Sequence, residues 1–119
     1  MTRTPKNPTP PTRSETPMSH TKITLIVDNP SDVAAFEDAF PALLESAAAL
    51  PDLIRLESGR VFPKEDGTPT PAHRTLDLYF TDYETASRAV QSPEAGALFG
   101  GLATTEVGFT GLFTDVELA

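Results

Sequence analysis

The segment 78–103, LYFTDYETASRAVQSPEAGALFGGLA, constrains the fold more than any other part of the chain. Its first residues complete a strand-like alternation that ends before Thr81, which has capping-box spacing with Glu84 at the start of a helical pattern. Ser-Pro at 92–93 marks a new helix start, because serine caps helices and proline suits their first position. The glycine pair at 100–101 predicts the end of this second helical run. A strand followed by two short helices predicts a crossover that returns the chain to the same sheet.

The first half of the chain also places a strand before a helix. Residues 22–28, KITLIVD, form a nearly continuous apolar and β-branched run, which is typical of a strand covered on both faces. Residues 29–32 predict a helix start with Asn29 as its cap and Pro30 at its first position. Apolar residues then recur at helical spacing, and Pro41 inside the pattern predicts a kink or a division of the helix.

Three further segments complete the predicted order. Residues 54–59 alternate in strand fashion, and residues 63–73 form a loop that contains three prolines. Residues 74–80, RTLDLYF, alternate strictly, and residues 107–118 supply the fourth strand. The order β-α-β-β-α-β predicts an α+β, ferredoxin-like fold, in which a four-stranded antiparallel sheet carries its helices on one face.

The two faces of this sheet differ in the residues that they present. The face with Leu76, Leu78 and Phe80 is apolar and is expected to pack on the helices. The opposite face is expected to carry polar residues together with apolar ones: Arg55, Glu57, Thr75, Asp77, Tyr79, Ile26, Phe109 and Phe113. An exposed patch with these aromatic rings predicts closure by a second copy of the chain, which would form a homodimeric α+β barrel.

Composition defines the domain and excludes several classes of partner. Residues 1–20 are rich in proline and threonine and are expected to be a disordered tail before one domain at 21–119, with Met18 as a second possible start. The chain has no cysteine, and its 9 basic against 17 acidic residues give a net charge of −8. Such a body repels phosphate backbones and anionic lipids, so neither nucleic acid nor membrane is expected as a partner. No signal-peptide pattern is present, and a cytoplasmic location is expected.

The run 76–96, LDLYFTDYETASRAVQSPEAG, resembles the most recognisable segment of the EthD-like family. The link 50–53, Leu-Pro-Asp-Leu, is similar to the Leu-Pro-Gly-Leu link of that family, and the resemblance covers about residues 22–117. It implies a dimeric α+β barrel that encloses a small-molecule pocket. Relatives with this architecture include cofactor-independent monooxygenases, polyketide cyclases and enzymes of dehalogenation or lactone processing. The namesake protein accompanies an ether-degrading oxidation system.

The chain departs from the family at a histidine that many members carry near the end of the first helix, in a His-X-Pro motif. Alignment on Pro51 places Leu43 at the histidine position, and alignment on Pro41 places Ala39 there. Neither is a histidine, so no catalytic residue follows from the resemblance.

Candidate catalytic residues come instead from the strand pattern. Asp77 and Tyr79 share a face, where a buried carboxylate would act as base beside a tyrosine donor. In the structural alternative, Asp77 pairs with Arg55 or Arg74 and Tyr79 packs inside a dimer. His73 ends the proline-rich loop, where it would either overhang a pocket and transfer protons or simply be solvated.

The remaining candidates would line a substrate site rather than react. They are Arg55, Glu57, Ile26, Phe109 and Phe113. Asp28 and Asp82 precede helices and are explained by capping, so no metal is expected, and no cofactor is expected either.

Three hypotheses remain open at this point. The protein is a cofactor-independent oxidoreductase or isomerase acting on a small organic compound in catabolism. Alternatively, it is a non-catalytic binding or accessory protein, or its barrel is filled by side chains and serves only to dimerise.

Overall fold

The computed structural model describes residues 20–117 of the chain. The elements are β1 His20–Asp28, α1 Val33–Ala48, β2 Arg55–Arg60, β3 Ala72–Phe80, α2 Tyr83–Ala89, α3 Pro93–Thr104 and β4 Phe109–Val116. This is the predicted order, with the second crossover divided into two helices. The predicted tail lies outside the described residues except for His20, which is the first residue of β1 rather than part of a tail.

The four strands form one sheet in the order β2-β3-β1-β4, and each neighbouring pair is antiparallel. This strand order and direction confirm the predicted ferredoxin-like fold. Alternate residues of the two central strands pack against the helices and form the core with them. The buried apolar residues include Ile23, Leu25, Val27, Leu76, Leu78 and Phe80 from the strands and Phe36, Phe40, Leu43, Leu98 and Leu102 from the helices.

Helix α1 begins later than the sequence indicated. Its N-cap is Asp32, whose carboxylate accepts a hydrogen bond from the backbone N–H of Ala35 at 3.0 Å. The predicted cap, Asn29, instead donates its side-chain amide to the carbonyl oxygen of Thr70 at 2.5 Å. The helix runs through Pro41 as one element, with this proline on the exposed side.

The two helices of the second crossover also differ from the prediction in detail. Asp82, not Thr81, caps α2 and accepts from the backbone N–H of Thr85 at 2.8 Å. Ser92 caps α3 as predicted, by accepting from the N–H of Ala95 at 3.2 Å. Helix α3 continues through the glycine pair at 100–101 and ends at Thr104, and Gly101 lies where a Cβ atom would meet Leu43 of α1.

The predicted face of Phe109 and Phe113 is wrong. In the register of β1 with β4, Phe113 lies opposite Ile23 and Phe109 lies opposite Val27, and directly opposed residues point to the same face. Both phenylalanines therefore lie on the helical side of the sheet. Their rings contact aromatic side chains of the helices, with centroid distances of 5.2 Å from Phe113 to Tyr83 and 5.7 Å from Phe109 to Phe99.

The side of the sheet away from the helices is called the open face below. Its residues, given by the register, include Lys22, Thr24, Ile26, Arg55, Glu57, Thr75, Asp77, Tyr79, Thr110 and Leu112. Without the two phenylalanines, this face is more polar than the sequence indicated. Between residues 20 and 117, no helix has the length and apolar character needed to cross a membrane.

Candidate functional site

A cleft lies between α1 and α3 and has a volume of about 460 Å³. It is called the α1/α3 cleft below. Its lining residues are Pro30, Ser31, Asp32, Ala35, Phe36, Ala39, Ala42, Leu43, Gly101, Thr104, Thr105 and Val107. The volume falls within the range of about 300–1,000 Å³ that is usual for small-molecule sites.

The cleft exists because α1 presents small side chains where α3 approaches it. Ala35, Ala39 and Ala42 line it at helical spacing, so this part of the helix leaves space. Gly101 closes the contact, since a Cβ atom built on it would lie 2.6 Å from Cδ2 of Leu43. The walls are thus mostly hydrocarbon, which favours an apolar occupant.

The polar groups of the lining come from the start of α1 and the end of α3. Ser31 and Asp32 lie at the start of α1, and Thr104 and Thr105 lie at the end of α3. The two threonine hydroxyls donate to carbonyls of their own helix, at 3.0 Å from Thr104 to Gly100 and 2.5 Å from Thr105 to Leu102. No lysine, arginine or histidine belongs to the lining.

The predicted pair Asp77 and Tyr79 lies on the open face, not in this cleft. Asp77 accepts a hydrogen bond from the hydroxyl of Thr24 at 2.6 Å and lies 3.6 Å from the ammonium group of Lys22. Thr24 and Lys22 are not the partners that the sequence predicted. The predicted partners, Arg55 and Arg74, bind other carboxylates instead. Asp77 is therefore held by β1 across the sheet.

Tyr79 belongs to a second cluster on the same face. Its hydroxyl donates to Glu57 at 3.0 Å, and this hydrogen bond raises the pKa of Tyr79. Glu57 also accepts from Arg55, and the hydrogen bonds from Tyr79 and then Arg55 lower its pKa. The cations of Lys22 and Arg55 lie over the Tyr79 ring at 5.7 and 5.6 Å from its centroid.

His73 lies elsewhere than predicted. The β1–β3 register shifts between Val27 and Asp28, which is a bulge, and the side chains of both His73 and Arg74 then reach α1. The Nε2 atom of His73 is 2.8 Å from Glu37, and the imidazole meets Phe36 edge-on at 5.6 Å. His73 is buried, with 8% of its surface exposed, so it is neither a solvated loop residue nor at a pocket mouth.

Glu37 joins this cluster to the sheet. Arg74 donates to it from Nε at 2.9 Å and from Nη2 at 2.7 Å. These hydrogen bonds are the main reason that the pKa of Glu37 falls to about 2. The guanidinium also lies over Phe40 at 4.1 Å from the ring centroid. Because Phe36 separates His73 from the cleft, the histidine supports a wall of the cleft without belonging to it.

Sequence reasoning brought together the open-face residues but missed the cleft. Arg55, Glu57, Ile26, Asp77 and Tyr79 do share one face, as the register shows. In the sequence, Phe36 and Leu43 belong to the predicted apolar helix face, whereas the three alanines of α1 were not taken to indicate a cleft. The stripe of alanines on α1 was the signal that could have revealed it. Among residues 20–117, no group of three or more His, Asp or Glu side chains could hold a metal ion.

Solved structures with the same fold span nearly the whole described domain. An EthD family protein from Bacillus halodurans has a TM-score of 0.73 at 17% identity, over 80% of this chain and 96% of that chain. SnoaB, a cofactor-independent oxygenase from Streptomyces nogalater, has a TM-score of 0.59 at 14% identity, over 86% of this chain and 96% of that chain. A dimeric protein of ferredoxin-like fold from Bacteroides fragilis has a TM-score of 0.61 at 14% identity, over 82% of this chain and 95% of that chain.

The predicted likeness to the EthD-like family is thus confirmed at the level of the fold. No family model and no curated protein matches the sequence itself.

Proposed function

We propose that this protein binds a small, largely apolar organic molecule in the α1/α3 cleft and does so as a homodimer in the catabolism of such compounds. The observation that carries the proposal is the cleft itself, with about 460 Å³ of space and walls built from alanines, Phe36 and Leu43. A packed helix–helix contact would leave no such volume, because protein interiors are close-packed.

The homodimer is supported by strand β4. All of its residues up to Asp115 are exposed, and it forms an outer edge of the sheet. Phe109, Leu112 and Phe113 are 37%, 47% and 42% exposed. A long apolar edge strand invites pairing unless something covers it, and the strand contains neither proline nor lysine to discourage pairing. A second copy packed on the open face would cover Leu112 of this strand, and more than one structural neighbour is described as dimeric.

A second candidate function is a cofactor-independent oxidoreductase or isomerase. It is favoured by the likeness to SnoaB, which is a cofactor-independent oxygenase. In this proposal Asp77 and Tyr79 act as polar groups at a site between two open faces, where Ile26, Arg55 and Glu57 would line it. His73 would have no direct role, because it contacts Phe36 of the cleft wall and not the open face.

Calorimetry with a neutral aromatic probe, 2-naphthol, tests binding in the cleft. Ala39→Leu places a larger side chain in the cleft lining and should lower the affinity at least about tenfold, a change of about 1.4 kcal/mol. Ala34→Leu makes the same change at an exposed position of α1 outside the lining and should leave the affinity unchanged. Equal affinity in both variants would place the probe elsewhere and remove the proposed site.

Turnover distinguishes the two candidates. Asp77→Asn and Tyr79→Phe remove an ionisable group with little change in shape, and both oxygen uptake and isomerisation of the added compound would be measured in each. Loss of turnover with binding retained supports catalysis on the open face. If the protein only binds its ligand, we expect no turnover by the unaltered chain and an unchanged affinity in both variants.

A further inference from the structure

We propose that Asp32 makes the α1/α3 cleft selective for uncharged apolar molecules and excludes their carboxylate analogues. This inference rests on the proposed ligand site and names the chemical class of its occupant. Asp32 is both the N-cap of α1 and a lining residue of the cleft.

The position of the carboxylate is fixed by the backbone. Its Oδ1 atom accepts from the N–H of Ala35 at 3.0 Å, so this hydrogen bond orients the exposed carboxylate at the lining of the cleft. The exposed N–H groups at the start of a helix otherwise attract anions. With Asp32 in place, the negative charge of the cap opposes that attraction for any anion entering the cleft.

No cation in the lining compensates for this charge. The polar lining residues other than Asp32 are Ser31, Thr104 and Thr105, all of them uncharged. The arginine behind the wall, Arg74, already binds both carboxylate oxygens of Glu37. The chain as a whole carries a charge of −8, which adds to the repulsion of anions.

The hydrocarbon walls strengthen the discrimination. Ala35, Ala39 and Phe36 offer no hydrogen bond from a side chain to a carboxylate, which would lose its hydration on entry. A neutral molecule of the same shape has no such cost and gains from burial of its apolar surface. The cleft therefore favours phenols, alcohols or ketones over organic acids of equal size.

The test compares 2-naphthol with 2-naphthoate by calorimetry near neutral pH, where the first is neutral and the second is an anion. The unaltered protein should bind the naphthoate at least about tenfold more weakly. Asp32→Asn keeps a good N-cap and should reduce that ratio about tenfold. Asp38→Asn removes the same charge from an exposed position on the same helix, outside the lining, and should leave the ratio unchanged.

Each outcome separates this inference from the proposed function. Equal binding of the two probes by the unaltered protein, or an unchanged ratio in Asp32→Asn, overturns the selectivity while the cleft remains a site. An equal reduction in Asp32→Asn and Asp38→Asn also overturns it, because overall charge would then explain the effect. Binding that Ala39→Leu does not weaken overturns the site itself and the selectivity with it.

Discussion

Glu37 links α1 to the start of β3 by side-chain hydrogen bonds. It accepts from Arg74 and meets His73, so one carboxylate satisfies two side chains of the sheet that are themselves mostly buried. The Arg74 hydrogen bonds lower the pKa of Glu37 from 4.5 to about 2. A lowered pKa means that the ionised form stabilises the fold relative to the unfolded chain.

Replacement of Glu37 by glutamine should reduce the free energy of unfolding by about 2 kcal/mol near neutral pH, because hydrogen bonds to a charged group are lost. The contribution of the carboxylate is complete above the unfolded pKa of 4.5 and is lost as the pH falls towards about 2. Urea unfolding of both proteins should therefore show their difference shrinking from about pH 5 down to about pH 2.

Glu45→Gln is the matched control, since Glu45 is exposed on the same helix and the change in net charge is identical. It should leave stability nearly unchanged at each pH, as expected for a surface position. A Glu37→Gln deficit that stays constant from neutral to acid pH would contradict the ionic origin of this contact.

This cluster was not predictable from the strand pattern of β3. Strict alternation places residue 73 with Thr75 and Asp77, and residue 74 with Leu76. The bulge adds one residue to β3 opposite the end of β1, so His73 joins Arg74 on the helical side. Nothing in the local composition marks a bulge, because the extra residue is visible only against the partner strand.

At the scale of elements, the contact between α1 and α3 controls both packing and the cleft. Gly101 faces Leu43, and a Cβ atom there would lie 2.6 Å from its Cδ2. On the other hand, a Cβ atom on Gly100 would have no neighbour within 4 Å, although it lies in the same helix. A substitution of Gly100 therefore changes helix propensity alone, whereas a substitution of Gly101 also changes the packing of α3 against α1.

Gly100→Ala should stabilise the protein by about 0.5–1 kcal/mol, because alanine loses less backbone entropy in a helix. Gly101→Ala gains the same propensity but must displace Leu43, and overpacking costs about 1–3 kcal/mol. The second variant is therefore expected to be less stable than the first by about that amount in urea unfolding. Equal stabilisation by both changes would show that Leu43 moves freely.

Gly101→Ala should also weaken binding of 2-naphthol, since the displaced Leu43 side chain lines the cleft. Gly100→Ala serves as the control and should bind as the unaltered chain does.

The order of the elements was predictable because each depends on local periodicity and capping residues. The face of β4 was not, since the alternation within FTGLFTDV is compatible with either side of the sheet. Only its register with β1, which places Gly111 opposite Leu25, assigns Phe109 and Phe113 to the helices. The start of α1 was missed for a related reason, because both Asn29 and Asp32 are good caps and tertiary contacts selected between them.

At the scale of the whole molecule, the sheet is covered on one side by helices and exposed on the other. The open face is not a purely apolar surface, since charged clusters around Asp77 and Glu57 occupy β2 and β3 and include Lys22 of β1. Its apolar part lies on the other two strands, where Ile26 and Leu112 flank threonines. A dimer closed by this face should therefore depend on β1 and β4 for apolar contact and on β2 and β3 for polar contact.

Leu112→Glu tests which surface pairs. The side chain is 47% exposed on the open face, and a charge there would meet its own copy or lose its hydration in a closed dimer. Light scattering at micromolar concentration should show twice the mass of one chain for the unaltered protein and a single-chain mass for this variant. The loss should exceed about tenfold in the dissociation constant, since burial of one leucine alone contributes about 1.5–3 kcal/mol.

Val33→Glu introduces the same charge at a helical residue of similar exposure, 44%, and should remain dimeric. If Val33→Glu dissociated the protein and Leu112→Glu did not, the helical side would be the interface and the open face would be left to solvent. A monomeric unaltered chain would remove the dimer altogether. The α1/α3 cleft would survive that result, because every residue that lines it comes from one chain.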